Sequence, residues 1–232
     1  MSILKKYKDY FTKAEILLWC ISVTVILVSF IAFDRESYLK LTASLLGITA
    51  LIFIAKGNPI GQALMVAFSI LYAIISYSFA YYGEMITYLF MSMPMAIVSL
   101  VSWLRNPYKE NKAEVKVNSI GKLEILLLVI CTVAVSVAFY FILGYFNTAN
   151  LLTSTFSVTT SFFAAYLTFR RSPYFALAYA TNDFVLIILW ILASITDTQY
   201  ISVAVCFLAF LVNDTYSFIS WLKMKKRQSL GL

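Results

Sequence analysis

The feature that most constrains this chain is a succession of eight apolar stretches, each close to the ~20 residues that a helix needs to cross the hydrocarbon of a bilayer. They run over residues 14–33, 38–55, 60–81, 85–104, 123–146, 150–169, 174–194 and 199–222. Of the 232 residues 62% are hydrophobic and only 12% are charged, where a soluble domain carries about 25% charged. A water-soluble fold would lack the polar side chains to cover such a core. The pattern predicts an all-α integral membrane protein with about eight transmembrane helices. The first stretch, from Ile16 to Phe33, is too long for the apolar core of a cleaved leader, and no small-residue cleavage site follows it.

Lysine and arginine set the expected orientation. With a cytoplasmic N-terminus, sixteen of the eighteen lie on the cytoplasmic side, and only Arg35 and Lys40 lie on the other. Cytoplasmic loops carry this excess, so both termini are expected in the cytoplasm. The net charge of +7 is explained by these flanking clusters, and nucleic acid is not an expected partner. The chain has no histidine and no Walker A phosphate loop, which removes imidazole relays, His-based zinc sites and that route to ATP hydrolysis. Cys20, Cys131 and Cys206 each sit inside an apolar run and read as small buried hydrophobes. No catalytic residues, metal ligands or cofactor are expected.

The chain repeats itself. Lys13, Glu15 and Leu18 open the first stretch as Lys122, Glu124 and Leu127 open the fifth, an offset of 109. Pro59 after the second stretch matches Pro173 after the sixth, an offset of 114. Ser102-Trp103-Leu104-Arg105 ends the fourth stretch as Ser220-Trp221-Leu222-Lys223 ends the eighth, an offset of 118. Four helices separate the members of each pair, so the halves have the same orientation. Parallel repeats of this kind build transporters.

Ionisable groups inside a span are costly unless they face a cavity or a partner. Glu15 and Glu124 lie at helix N-termini, where the helix dipole suffices to explain them. Asp183 and Asp214 lie within spans, each after an asparagine, Asn182 and Asn213. At ~1.5 Å per residue both acids lie roughly 12–14 Å from the cytoplasmic edge, on neighbouring antiparallel helices. The two Asn-Asp pairs are therefore expected to face one another across a hydrated hollow. Helical spacing adds Tyr179, Tyr216, Ser217 and Trp190 to this polar surface. Trp103 and Trp221 read equally as an interfacial belt or, for Trp221, as a stacking platform. Thr153, Ser157, Thr160 and Ser161 form a stripe that reads as helix–helix hydrogen bonding. In the first half Asn213 and Asp214 map onto Met95 and Ala96, and Gln62 is its best polar candidate. Gly57 and Gly61 flank Pro59 and read as a turn.

Tyr82-Gly83-Glu84-Met85, Trp103 to Asn106, Tyr179 to Asp183, and Asn213-Asp214-x-Tyr216 through Trp221-x-Lys223 to Arg227-Gln228 together resemble the PnuC family of bacterial vitamin transporters. The resemblance implies a three-plus-one-plus-three helix plan similar to the SWEET sugar carriers. Residues 38–106 and 150–222 would be the two bundles. Residues 107–149 would hold a basic cytoplasmic loop and a connector helix, 1–37 an added N-terminal helix, and 223–232 a basic tail. It further implies a homotrimer in the bacterial cytoplasmic membrane and facilitated diffusion of a nucleoside-like vitamin, usually nicotinamide riboside, which a cytosolic kinase traps by phosphorylation. Relatives carry deoxynucleosides, thiamine or riboflavin. One departure stands out: nicotinamide riboside carriers tend to show paired tryptophans shortly before the asparagine at position 182, where this chain has only Tyr174, Phe175 and Tyr179 as rings.

On this reading Asn182, Asp183, Asn213 and Asp214 bond sugar hydroxyls. Tyr179, Tyr216, Trp190 and Trp221 stack on the ring, with Ser217 beside them, and Gln62 reaches in from the opposite bundle. The rival expectation is proton- or sodium-coupled transport through Asp183 or Asp214.

Overall fold

The computed structural model describes residues 10–78 and 82–231. Lys5, Lys6 and Lys8 of the basic N-terminus and the last three residues of the expected third span lie outside the described residues. The helices are α1 (Lys13–Phe33), α2 (Tyr38–Ala55), α3 (Pro59–Ser78), α4 (Tyr82–Arg105), α5 (Lys122–Tyr145), α6 (Leu151–Phe169), α7 (Phe175–Ser194) and α8 (Ile201–Ser229). Among the described residues, all but α6 are long and apolar enough to cross a membrane. The exception is a helix of 19 residues whose serines and threonines lower its hydropathy. Half of those hydroxyls donate to a carbonyl one turn back in the same helix, as Thr155, Thr159 and Thr168 do to Leu151, Thr155 and Ala164, which lowers the cost of desolvating them. The protein is an all-α membrane protein, with one small addition described below.

The ends of the elements follow local chemistry. Thr12 and Glu15 form a capping box on α1: Thr12 Oγ1 accepts from the Glu15 N–H, and the Glu15 carboxylate accepts from the Thr12 N–H. Helix α2 stops where Gly57 takes a left-handed φ of 67°, open to glycine without steric cost, and Pro59 then opens α3. Midway along α4 the residues Tyr88–Ser92 widen into a π turn, in which the Met93 N–H donates to the Tyr88 carbonyl. The turn sits just before Pro94, which has no N–H to give, and such turns often mark functional positions.

Helix α3 packs on both α2 and α4, and α7 packs on both α6 and α8. The two groups meet where α2 packs on α8 and α4 packs on α6. Helix α1 lies against α2 and α8, and α5 lies against α6. The repeat in the sequence is visible in these contacts. Glu15 of α1 pairs with Lys56 just past α2, and Glu124 of α5 pairs with Arg170 just past α6. Gly57 and Arg171, 114 residues apart, both take positive φ, 67° and 56°. The added N-terminal helix and the connector thus occupy equivalent places, a four-plus-four arrangement within which each three-helix group is framed.

The basic loop expected between the halves contains a short hairpin. Pro107–Tyr108 (β1) and Asn111–Val115 (β2) form an antiparallel hairpin, and the chain beyond it crosses the lysine- and arginine-rich face. The Val115 N–H donates to the Gly57 carbonyl at 2.9 Å, and the Asn118 N–H donates to the Arg171 carbonyl at 3.0 Å. Gln228 of α8 donates to the Val115 carbonyl and accepts from the Val117 N–H. The Arg171 guanidinium donates to Ser102 Oγ and the Lys116 carbonyl; its partial burial, with Arg170 adjacent, lowers its pKa below the usual arginine value.

Candidate functional site

Between the two helix groups lies a small cavity of about 70 Å³. All six of their helices line it. Its polar groups come mostly from the second half: Ser161 and Thr168 on α6, Tyr179, Asn182 and Asp183 on α7, and Asp214 on α8. From the first half come Gln62 and Ser69 on α3 and Tyr88, Ser92 and Ser99 on α4. The apolar wall is Met65, Phe68, Met95, Phe207 and Phe210. No lysine or arginine lines it.

Asp183 and Asp214 are 3% and 2% exposed, line the same cavity and are close enough to interact electrostatically. Asp183 Oδ2 and Asp214 Oδ1 have no protein partner. Two neighbouring carboxyls without a cation are costly to bury, and a cavity that admits water or a donor-rich solute relieves the cost. Asn182 is fixed more firmly. Its Oδ1 accepts from Thr160 Oγ1 at 2.8 Å and from Ser161 Oγ at 2.9 Å, which leaves the amide N–H groups as its donors to the cavity. The serine–threonine stripe of α6 therefore does bond across helices, and what it holds is a cavity residue. Gln62 is buried and makes no protein hydrogen bond among the described residues.

Of the ten residues singled out in the sequence, Gln62, Tyr179, Asn182, Asp183 and Asp214 line the cavity and the other five do not. The Asn213 side-chain amide points to α1, donating to Ser22 Oγ at 2.9 Å and to the Ala209 carbonyl at 2.8 Å. Tyr216 turns the same way, its hydroxyl donating to Glu15 at 3.2 Å. Ser217 is fully buried behind the cavity wall. Trp190 stands in an aromatic layer nearer the opposite membrane face, its ring 6.2 Å from Tyr72 and 5.5 Å from Tyr200. Tyr72 stacks there on Tyr88 at 4.4 Å. Trp221 lies below the cavity on the basic side, against Phe175 at 4.8 Å and Trp103 at 5.3 Å. Rings thus stand toward both ends of the cavity.

The aromatic wall and Tyr88 were not among the expected site residues. Phe68, Phe207 and Phe210 are three of nineteen phenylalanines, and nothing in their spacing separates them from core. The approach of Pro94 to the π turn is the signal that points to Tyr88 and Ser92. Gly47 of α2 matters here too: a Cβ on it would overlap the Phe210 ring and crowd Phe68 at 3.1 Å. Gly47→Ala should leave helix α2 intact, since alanine is the better helix former by about 1 kcal/mol, yet push Phe210 into the cavity. Ligand affinity measured by calorimetry should fall several-fold with little change in Tm.

Comparison with known proteins bears on the whole chain. A nicotinamide riboside transporter PnuC from Neisseria mucosa is 27% identical over 202 residues, covering 85% of this chain and 76% of that protein. The crystal structure of a vitamin B3 transporter PnuC superposes with a TM-score of 0.82 at 24% identity, over 98% of this chain and 99% of the other; it shares the fold. The sequence profile of the family described as nicotinamide mononucleotide transporter matches residues 37–223, which takes in both helix groups, the strap between them and every residue that lines the cavity: the chain belongs to that family.

Proposed function

We propose that this protein carries nicotinamide riboside across the membrane by facilitated diffusion. The observation that carries the reading is the composition of the cavity: two uncommitted carboxyl oxygens, two amides and several rings, with no cationic side chain. Nicotinamide riboside is a cationic pyridinium with a carboxamide and a ribose. Asp183 and Asp214 suit its positive charge and its hydroxyls, and Asn182 and Gln62 suit the carboxamide or sugar. Phe68, Tyr88 or Phe207 supplies a face for the ring. The same lining disfavours a phosphate, because no lysine or arginine would meet it. The unphosphorylated nucleoside is therefore the better fit, and a cytosolic kinase that phosphorylates the arriving solute would keep it from leaving.

The basic face is placed in the cytoplasm on the lysine and arginine asymmetry, in a bacterial cytoplasmic membrane. Residues 38–106 and 150–222 act as the two bundles that rock about the cavity. A homotrimer would cover the bare outward side of α5, where Leu126, Ile130, Val133 and Phe141 are exposed.

Titrating the purified protein with nicotinamide riboside, deoxynucleosides, thiamine and riboflavin tests the substrate. Nicotinamide riboside should bind tightest, and Asn182→Ala should weaken it about tenfold, as loss of one hydrogen bond of ~1.4 kcal/mol would. A folded Asn182→Ala protein with unchanged affinity, or a clear preference for another of the four, would overturn the reading. One observation favours a second reading, proton or sodium coupling: Asp183 and Asp214 line one cavity without a cation. Uptake into liposomes that accelerates only under an imposed ion gradient would decide for it.

A further inference from the structure

The repeated Ser-Trp pairs are not used by the binding cavity, and their contacts are reciprocal. Trp103 Nε1 at the end of α4 donates to the Thr168 carbonyl at 2.9 Å, and Ser102 Oγ donates to the next carbonyl, Phe169, at 2.9 Å. Trp221 Nε1 at the end of α8 donates to the Ile54 carbonyl at 2.8 Å, and Ser220 Oγ donates to the next, Ala55, also at 2.8 Å. The acceptors, at the ends of α6 and α2, are themselves 114 residues apart, the spacing of Pro59 and Pro173. Carbonyls in the last turn of a helix have no partner within it: those of Ile54 and Thr168 accept the Gly57 and Arg171 N–H groups just beyond the helix and take the indole as a second donor, and those of Ala55 and Phe169 take the serine hydroxyl. Each half thus satisfies the helix end of the other, and all four bonds cross between the two helix groups.

Their position gives these bonds a function. Trp103 and Trp221 have no exposed surface and touch each other. Phe175, which lines the cavity, packs on both, with ring centroids at 6.4 and 4.8 Å. The three rings lie on the basic side of the cavity, and the four bonds tie together the helix ends that surround them. The strap reinforces them, since its Val115 and Asn118 N–H groups donate to Gly57 and Arg171, just beyond the two clasped helix ends.

We infer that Ser102-Trp103 and Ser220-Trp221 are the gate on the basic side of the cavity, two symmetry-related latches that must release together when the helix groups part. The inference rests on the transport reading above. It assigns Trp221 to gating rather than to ring stacking. Because the latches are equivalent, loss of either should shift the same equilibrium by a similar factor.

The test is one of sided access. In a protein whose three cysteines are replaced, Ser99→Cys places a thiol in the cavity wall one turn above Trp103. Its rate of modification by a membrane-impermeant reagent is measured in vesicles of each orientation, without substrate. Trp103→Phe and Trp221→Phe keep a ring and remove one N–H donor. Each should raise modification from the basic face by about tenfold, the factor expected for one hydrogen bond of ordinary strength. The pair together should raise it further, and modification from the opposite face should not rise. Ser220→Ala gives a milder variant with the same expected direction, should a tryptophan replacement fail to fold. Unchanged modification from the basic face overturns the gate, as does an equal rise from both faces, which would mean general loosening. If the sided rise is seen but nicotinamide riboside does not bind, the substrate is wrong and the gate stands.

Discussion

Asp183→Ala and Asp214→Ala should each weaken nicotinamide riboside binding by roughly 10- to 150-fold, corresponding to ~1.5–3 kcal/mol for a hydrogen bond to a charged group. Both carboxyls are buried, both line the cavity, and each has an oxygen without a protein partner. A donor on the ligand therefore meets an acceptor that has already lost its water, which is the situation in which removal costs most. The two carboxyls line one cavity and interact electrostatically, so their effects should not be additive. The double variant should lose less than the product of the single losses, by a coupling of ~0.5–3 kcal/mol. The same geometry predicts discrimination by the sugar. A site that holds paired acceptors for hydroxyls rejects an analogue that lacks one, so a deoxynucleoside should bind more weakly than its ribose counterpart to the wild type and lose that disadvantage in the variants. Calorimetric titration of the two singles and the double gives all of these. Fully additive losses, or affinities unchanged in folded proteins, would show that the acids do not act on the ligand.

How far the sequence reveals this site depends on the kind of signal. Helix positions are legible because a bilayer leaves the chain few choices: α2 lies at the residues expected, 38–55, and α5 is shifted by one, to 122–145. The meeting of Asp183 and Asp214 is legible because unpaired acids in apolar helices have few tolerable surroundings. The choice between Asn213 and Asp214 is not. Neighbours on a helix point about 100° apart, which lets both Asn182 and Asp183 line the cavity on α7 but leaves only Asp214 doing so on α8. Which one does is decided by Ser22 on α1, 191 positions away, a partner the sequence does not disclose. Trp221 fits neither expectation, belt or stacking platform. Its N–H finds a carbonyl on another helix group, a tertiary bond that periodicity cannot signal. The hairpin after Asn106 is missed because β1 has two residues and β2 five, too short for alternation to register. The repeat, by contrast, is written in single residues, and the pairs Glu15–Lys56 and Glu124–Arg170 give it physical content.

Those two equivalent pairs lead to the other large effect expected, on stability. Glu15 is 3% exposed and accepts from Lys56 Nζ at 3.1 Å, Tyr216 Oη at 3.2 Å and the Thr12 N–H at 2.7 Å. Glu15→Ala removes the acceptor for a lysine whose side chain is only 19% exposed, and it uncaps α1 as well. Breaking a buried pair from one side costs ~3–5 kcal/mol; with Lys56 partly open, about 3 kcal/mol is expected. Glu124 occupies the equivalent place and also bonds an arginine and a tyrosine, Arg170 and Tyr166. Its pair is more open, at 33% for Arg170 and 24% for Glu124, and partly exposed ion pairs contribute about 1 kcal/mol or less. Glu124→Ala should therefore lower the unfolding temperature in detergent clearly less than Glu15→Ala does. Because α1 bears on α8 through Glu15–Tyr216 and Ser22–Asn213, the Glu15→Ala protein should also release α1 to proteolysis before the rest of the chain unfolds. A Glu124→Ala protein as destabilised as Glu15→Ala would mean that burial does not set the strength of these pairs, and that the two framing helices are held by something other than their acids.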